Sequence, residues 1–290
     1  MKLHPRRAWK LRDFALLSMM LGVGLWVHRQ PLLDIITIGA RDEEQSHIFL
    51  APIVAALLLW LRRSRLRYVQ PNPSLLGPLV VLAGWLMSWW GFESGTQIAW
   101  HGGAVLSLLG IVLSMTGAAP LMMFGPVLAV LVFVLPVPGQ LRHQIALPLQ
   151  ELATTVTHTV LQLVGVGAIK SGNVLIINGQ EVAVGEACNG MRMVFALTLV
   201  VYAFAFATPL RGSARALLIG LSPLIAMLCN VIRLVPTSLI FGYGSVHTAQ
   251  KFHDISGWVM LPIALLILIA VLRMVRWLEF PVHSFRLASQ

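Results

Sequence analysis

The sequence predicts an all-α integral membrane protein, a bundle of about eight transmembrane helices. Of the 290 residues, 57% are apolar and only 11% are charged, whereas soluble domains are typically about 45–50% apolar and roughly 25% charged. The mean hydropathy is +0.81, and long apolar runs separated by short polar gaps fill most of the chain. These observations exclude an ordinary soluble enzyme, a disordered chain and a fibrous repeat.

Eight apolar segments are candidate spans, because a helix crosses a bilayer with about 20 apolar residues. They cover about residues 14–28, 48–61, 74–91, 97–116, 119–136, 187–207, 215–241 and 257–277. No small-residue cleavage site follows the first segment, so we interpret it as a retained span rather than a signal peptide. We expect a single polytopic membrane domain over residues 1–290.

The basic residues predict the orientation of the bundle. The chain carries 21 Lys and Arg residues and a formal charge of +10. If all eight segments span and the N-terminus is cytoplasmic, fourteen basic residues lie in inner regions or at inner span ends, and five lie outside. Cytoplasmic loops carry an excess of Lys and Arg, so both termini are predicted to be cytoplasmic. We interpret the basic cluster at 62–67 as a topological anchor rather than a nucleic-acid patch.

One long segment, about residues 137–186, is predicted to lie on the outer side without spanning. Apolar residues recur in it at spacings of three and four, which predicts an amphipathic helix at the outer membrane surface or over the end of the bundle. These residues are Ile145, Leu149, Leu152, Val156, Val160 and Leu163. Two short β-type runs, at 173–177 and 181–184, flank Asn178-Gly179 and predict a β-hairpin.

Chemically active residues cluster at the outer ends of three consecutive elements. Charged groups inside a bilayer cost at least about 2.5–3.5 kcal/mol at a helix centre, so Arg192 and Arg233, within the sixth and seventh segments, are functional candidates. Cys188 lies four residues before Arg192, and Asn230 lies three before Arg233, so each pair shares a helix face. His253 lies just before the eighth segment. We therefore expect these residues at one leaflet.

This set of side chains suits covalent catalysis. Nearby cations lower the pKa of a thiol and favour the nucleophilic thiolate, which makes Cys188 the candidate nucleophile. His253 could take the thiol proton and later protonate a leaving amine. Arg233 could stabilise the thiolate or the oxyanion of a tetrahedral intermediate. A thioester shielded from water would survive until a second nucleophile attacks it.

Three sequence motifs together resemble the exosortase/archaeosortase family. They are Glu186-Ala187-Cys188-Asn189-Gly190-Met191-Arg192, Asn230-Val231-Ile232-Arg233 and His253. Ser46-His47 before the second apolar segment and Gly172-Asn173-Val174 before the Cys motif extend the resemblance to about residues 45–260. The combination is more specific than either longer motif alone.

The resemblance implies a multi-spanning cysteine transpeptidase of the bacterial inner membrane, with an exosortase-like core over about residues 45–280. Members of this family are thought to process exported proteins whose C-terminal signal is a Pro-Glu-Pro-type motif, a transmembrane helix and a basic tail. The enzyme would cleave near the motif and transfer the protein to an acceptor. The implied catalytic residues are Cys188 as nucleophile, Arg233 as stabiliser and His253 as acid and base, with the site on the outer side.

Six further residues are candidate supporting groups. They are Glu186, Asn189, Arg192, Asn230, His47 and Asp254. The position after the cysteine is commonly Ser in the family and is Asn189 here, which marks a departure. Arg192 is equally compatible with pairing to Glu186 or a lipid head group, and His47 with an ordinary surface histidine. Cys229 is interpreted as packing, with a Cys188–Cys229 disulfide as the alternative.

Two other function classes remain open on the sequence. The first is a transporter or flippase for an anionic envelope substrate, with Arg192 and Arg233 as binding charges. The second is a non-catalytic assembly factor for envelope polysaccharide. No metal-binding or phosphate-binding motif occurs in the sequence, so we expect no metal, cofactor or nucleotide. The expected partners are membrane-tethered protein substrates, an acceptor and the lipid bilayer, but not nucleic acid.

Overall fold

The computed structural model describes residues 9–183 and 190–277. The chain divides into two compact units, Met1–Pro138 and Gly139–Gln290. The single polytopic domain expected from the sequence stays a prediction. The described part of the first unit contains seven α-helices: α1 (Leu11–Val27), α2 (Arg29–Arg41), α3 (His47–Leu61), α4 (Leu76–Glu93), α5 (Gln97–Thr116), α6 (Ala119–Met123) and α7 (Gly125–Val130). Short 3-10 helices follow at Glu43–Gln45, Arg63–Tyr68 and Leu131–Val134.

The first unit is centred on a close pair of helices, α4 and α5. Glycines recur every seven residues along α4, at Gly77, Gly84 and Gly91, and all three are buried. A Cβ atom on any of them would collide with the backbone of α5. Heptad spacing keeps the three positions on one helix face, so the missing side chains let the two backbones approach each other as small residues do in membrane bundles.

The second unit combines four α-helices with a small sheet. Its described elements are α8 (Gly139–Leu163), β1 (Ala168–Ser171), β2 (Val174–Ile177), β3 (Gln180–Ala183), α9 (Met191–Ala207), α10 (Gly212–Tyr243) and α11 (Val246–Trp277). Helices α9, α10 and α11 share an apolar core that includes Leu197, Ala226 and Leu268. The Arg215 Nε donates to the carbonyl oxygen of Ala205 at 2.9 Å, which satisfies an acceptor in the last turn of α9.

The sheet is antiparallel with the order β1-β2-β3. Strands β2 and β3 pair around Asn178-Gly179, with Ile177 opposite Gln180. Asn178 has φ of 52° and Gly179 of 75°, the positive values that a tight two-residue hairpin turn requires. The sequence predicted two strands here, and the structure adds β1, which pairs with β2.

Helix α8 occupies the place of the predicted amphipathic helix. Its buried positions are small or hydroxyl-bearing for the most part: Ala146, Ala153, Thr154, Thr157 and Leu161. Four of the apolar residues that defined the sequence pattern are exposed, namely Ile145, Leu152, Val156 and Leu163. The packed face of α8 is therefore offset from its most apolar face. Leu149 is the member of the pattern that packs against the adjacent core.

The described helices fit a membrane protein, with fewer clear spans than the sequence predicted. Two of them, α5 and α10, are long and apolar enough to cross a bilayer alone, and the number rises to five if each of three bent helix pairs is one span. One bent pair is α1 with α2, at 70°. The predicted span at 119–136 is divided among α6, α7 and a 3-10 helix. The all-α membrane class agrees with the structure, and eight crossings stay a prediction.

Candidate functional site

Helix α10 places Arg233 and Asn230 side by side in the interior of the second unit. Only 6% of Arg233 and 0% of Asn230 is exposed. The Arg233 Nη2 donates to the Asn230 Oδ1 at 3.0 Å, as their spacing of three residues allows. Thr237, one turn further on, donates its hydroxyl to the carbonyl oxygen of Arg233 at 2.7 Å. The Asn230 bond thus orients the guanidinium, and the Thr237 bond ties the backbone of the same turn, in a site where burial of an ion is costly.

The other side of Asn230 faces the start of α9. Gly190 precedes that helix with a left-handed φ of 83°, which glycine adopts without the strain a Cβ imposes. A Cβ at this position would lie 3.1 Å from the Asn230 Nδ2. The Gly190 turn therefore packs directly on the amide that orients Arg233. Cys188, Asn189 and Glu186 precede this turn and lie outside the described residues.

Helix α11 approaches the guanidinium through a residue without a side chain. A Cβ at Gly257 would lie 3.4 Å from the Arg233 Nη1. His253 is half-buried and lies four residues earlier on the same helix, so it shares a face with Gly257. Ser256 is buried and donates its hydroxyl to the His253 carbonyl oxygen at 3.0 Å. The structure thus brings the α11 face that carries His253 against Arg233.

The remaining candidates of the second unit have different surroundings. Arg192 is the second residue of α9 and is exposed, unlike the buried Arg233. Cys229 is a free thiol that is fully buried in the core of α9, α10 and α11, in keeping with a packing role. Asp254 follows His253 on α11.

His47 belongs to the first unit, where it is the first residue of α3 and is buried. Its Nδ1 lies 3.3 Å from the Glu44 carbonyl oxygen. Burial lowers the pKa of His47, against smaller raising effects of the Glu44 carbonyl and the Asp42 charge. In the same loop, Gln45 accepts a hydrogen bond from the backbone N–H of Val137 at 2.8 Å. His47 is therefore part of a buried polar network, not a surface histidine.

A second buried imidazole was missed by the sequence reasoning. His101 on α5 is 0% exposed, and its Nε2 lies 2.9 Å from the Asp34 Oδ2 on α2. Because 67 residues separate the two, only the packing of α2 on α5 shows that they form a pair. Ionisable residues within apolar helices are costly to bury and usually pair with each other, so such a pair is a candidate for a functional role. The apolar context of His101 was the one signal in the sequence.

The Arg233 site can stabilise negative charge in a water-poor environment. A buried guanidinium attracts an oxyanion or a thiolate much more strongly than an exposed one does. A half-buried imidazole on the facing helix can exchange a proton near that charge. Among the described residues, no group of three or more His, Cys, Asp or Glu side chains could hold a metal ion.

A comparison with protein-family models identifies a family for this chain. The model described as transmembrane exosortase covers residues 39–270 of the chain. The match includes the Cys motif, the Asn-x-x-Arg motif and His253, and it confirms the resemblance drawn from them. No curated protein and no solved structure matches the chain.

Proposed function

This chain belongs to the transmembrane exosortase family, and we propose that it is a membrane-embedded cysteine transpeptidase. It recognises a C-terminal sorting signal on exported proteins, cleaves it through a thioester and transfers the protein to an acceptor. One observation carries the proposal most strongly: a buried arginine is held by Asn230 on one side and faced by the His253-bearing surface of α11 on the other.

The reaction follows from the chemistry of the three side chains. The Cys188 thiolate attacks the carbonyl carbon of the scissile peptide bond and forms a carbon–sulfur bond. The oxyanion that develops is stabilised by Arg233. The carbon–nitrogen bond then breaks, and the imidazolium of His253 gives its proton to the leaving amine. An acceptor nucleophile next attacks the thioester, gives its proton to His253 and displaces the thiolate.

The supporting residues have roles that suit this scheme. Asn230 orients Arg233 through the hydrogen bond at 3.0 Å. Gly190 packs on Asn230 and lies two residues after Cys188 in the Cys motif, so it couples the nucleophile segment to the arginine. We assign Glu186, Asn189, Arg192 and Asp254 to the periphery of the site. His47 anchors the loop before α3 through buried polar contacts.

The substrate and the cellular location follow from the family and the charge pattern. We propose a protein of the bacterial inner membrane with eight spans, both termini in the cytoplasm and the site on the outer side. The client protein would be tethered by its own C-terminal helix, with its basic tail inside as the charge rule requires. The single domain over residues 1–290, with its core at about 45–280, forms the bundle against which that helix packs.

The test of this function is the maturation of a client protein. The client is a protein of the same cells whose sequence ends in a short motif, an apolar helix and a basic tail. Cys188→Ala is expected to abolish cleavage and leave the precursor in the membrane. The matched control is Cys229→Ala, the same change at the buried packing cysteine, which should cleave at the wild-type rate.

Two further variants separate the transpeptidase from its rivals. Arg233→Ala and His253→Gln should each slow cleavage by about 100-fold or more, the order of effect seen when a charge stabiliser or a proton-transfer group is removed. A transporter or flippase would tolerate Cys188→Ala and would lose transport only when Arg192 or Arg233 is replaced. A polysaccharide assembly factor would tolerate all three changes. Normal client maturation in Cys188→Ala would overturn the proposed function.

A further inference from the structure

We propose that a basic patch of the first unit binds the headgroup of an anionic phospholipid. The patch consists of Lys10, Arg12, Arg63, Arg65 and Arg67, and all five side chains are exposed. In one sentence, arginines stacked on aromatic rings beyond the end of α3 present guanidinium groups to a lipid phosphate, and neighbouring apolar side chains meet its acyl chains. This inference does not depend on the proposed enzymatic function.

Two separate segments of the chain supply the patch. Its three arginines belong to the 3-10 helix that follows α3, and its other two cations lie at the start of α1. The Trp9 indole N–H donates to the Val69 carbonyl oxygen at 2.8 Å, which ties the chain before α1 to the chain that leaves the 3-10 helix. Because both segments are joined there, their five cations lie at the same end of the unit.

Two of the arginines are stacked on aromatic rings. The Arg63 Cζ lies 4.5 Å from the centroid of the Trp60 ring, and the Arg67 Cζ lies 5.0 Å from that of Tyr68. A stacked guanidinium is held in one plane and keeps its N–H groups for paired hydrogen bonds to phosphate oxygens. Trp and Tyr side chains prefer the headgroup level of a membrane, so these rings hold both guanidiniums at the depth of the lipid phosphates.

The protein itself compensates little of the charge on the patch. The sequence contains no Asp or Glu between residues 45 and 92. The acidic residues at 42–44 precede α3, whose 15 residues place them roughly 22 Å from its other end. Asp13 is buried and accepts the backbone N–H of Lys10 at 3.1 Å, so it offsets at most one of the five charges. An anion from outside the protein is therefore the expected counterion.

Exposed apolar side chains around the patch favour a lipid over a soluble phosphate. Leu11 lies between the two cations at the start of α1, and Leu66 lies between two arginines of the 3-10 helix; both are exposed. The Arg65 Nη1 donates to the carbonyl oxygen of Met123 at 3.2 Å, and the neighbouring Met122 is also exposed. Burial of these side chains among acyl chains is favourable, and a soluble phosphate offers no such burial.

The experiment measures the binding of phosphatidylglycerol to the full-length protein purified in a neutral detergent, by native mass spectrometry during a lipid titration. A basic residue near an anionic lipid surface contributes a factor of about five in affinity, so Arg63→Gln combined with Arg67→Gln should weaken binding about 25-fold. The matched control is Arg29→Gln combined with Arg41→Gln. Both arginines are exposed, and the Arg29 Cζ lies 4.7 Å from the centroid of the Trp26 ring. This control should keep the wild-type affinity.

Two further ligands test the chemistry of the site in the wild-type protein. Phosphatidylcholine has the same acyl chains and phosphate but no net charge, and it should bind at least tenfold more weakly, since about two of the five cations would lose their electrostatic contribution. Glycerol phosphate carries the charge without the acyl chains, and it should not displace phosphatidylglycerol at equal concentration.

The outcomes decide whether the patch is a lipid site. Equal phosphatidylglycerol affinity in the two double variants would overturn it, and so would equal affinity for phosphatidylcholine. Displacement by glycerol phosphate would indicate a site for soluble phosphates instead. Should Arg63→Gln with Arg67→Gln not accumulate, Arg63→Lys with Arg67→Lys decides, because it keeps both charges but not the planar donors. An affinity lowered about fivefold would support the site, and an unchanged affinity would contradict it.

Discussion

Arg233 costs free energy to bury, and the fold offsets that cost with a small number of specific contacts. Its guanidinium donates to the Asn230 amide oxygen. The Asn230 side chain in turn packs against the Gly190 turn. Removing the hydrogen-bond partner of a buried charge usually costs more stability than the intact pair contributes. The reason is that the ion stays buried and loses its hydrogen bond. Asn230 is therefore one residue on which the position of Arg233 depends.

The first prediction concerns Asn230. Asn230→Ala removes the acceptor of Arg233 Nη2, so the guanidinium should lose its orientation and client cleavage should slow by about 10- to 100-fold, corresponding to roughly 1.4–2.8 kcal/mol. Asn230→Gln, which keeps the amide on a longer chain, should recover part of the rate. The measurement is the initial rate of precursor processing at matched protein levels. Equal rates for Asn230→Ala and wild type would show that Arg233 needs no such support.

A second residue-scale prediction concerns His47 and pH. Burial lowers its pKa, so the unfolded chain binds a proton at higher pH than the folded one does. Above the unfolded pKa of about 6.5, His47 is neutral in both states and does not reduce the free energy of unfolding. As pH falls below that value, the unfolded chain takes up the proton more readily, and the free energy of unfolding decreases. The Tm of the detergent-solubilised protein should fall from pH 7.5 to pH 5, and His47→Gln should make this fall shallower. An unchanged pH dependence in the variant would contradict the assignment.

Local spacing predicted part of the site, and long-range packing supplied the rest. The i, i+3 relation of Asn230 and Arg233 follows from helical periodicity, and their hydrogen bond is observed. The approach of Gly257 to Arg233 joins two different helices, and the pairing of His101 with Asp34 joins α5 to α2. No periodicity within one segment encodes such contacts, because they depend on how the helices pack.

Among the elements, the α4–α5 pair shows most clearly how sequence determines packing. The heptad glycines of α4 meet the backbone of α5, and Ser107 donates its hydroxyl to the Val81 carbonyl oxygen at 3.3 Å. Ser88 donates to the Trp100 carbonyl oxygen at 2.9 Å. Close backbone approach and short polar side chains thus act together, as in membrane helix pairs generally.

The prediction at this scale is a pair of matched substitutions. Gly84→Ala places a Cβ 2.6 Å from the backbone nitrogen of Ser107, so the helices must separate, at a cost of about 1–3 kcal/mol. Gly22→Ala on α1, where no described heavy atom lies within 4 Å, should be neutral or slightly stabilising. Thermal unfolding in detergent measures both. A Tm for Gly84→Ala equal to that of Gly22→Ala would contradict the packing.

Element boundaries show where composition is insufficient. The periodicity of 145–163 predicted α8, and Asn178-Gly179 predicted the turn at which β2 meets β3. The run 119–136 is apolar throughout, so composition predicted one span, but prolines lie in the first turns of α6 and α7. Proline favours the start of a helix and interrupts a continuing one, which explains the division. Strand β1 was missed because Ala168–Ser171 lacks a strong β pattern.

At the scale of the whole molecule, the distribution of basic residues predicts the orientation of the protein in the membrane. The basic residues of the 3-10 helix at Arg63–Tyr68 contrast with the sparsely charged segment that carries the sheet. The positive-inside rule predicts that the first lies in the cytoplasm and the second outside. The apolar surface of many helices, including the exposed Leu79, Leu224 and Leu266, fits contact with lipid.

The orientation can be tested with two serine-to-cysteine changes. Ser64→Cys lies in the basic 3-10 helix and Ser171→Cys at the end of β1, and both serines are exposed. In a background with Cys188→Ala and Cys229→Ala, a membrane-impermeant maleimide should label Ser171→Cys in intact spheroplasts and Ser64→Cys only after permeabilisation. The reverse labelling pattern would place the site on the cytoplasmic side and remove access to exported clients.

The most direct measurement is mass spectrometry of the enzyme trapped during turnover of a client protein. Arg233 stabilises the oxyanion that forms when Cys188 attacks the client, so the wild-type enzyme is used and its reaction is stopped with acid before an acceptor releases the adduct. We predict a thioester on Cys188 that carries the client's new C-terminus, is released by hydroxylamine and is absent from Cys188→Ala. A client processed at the normal rate by Cys188→Ala, or an adduct on any other residue, would contradict the mechanism.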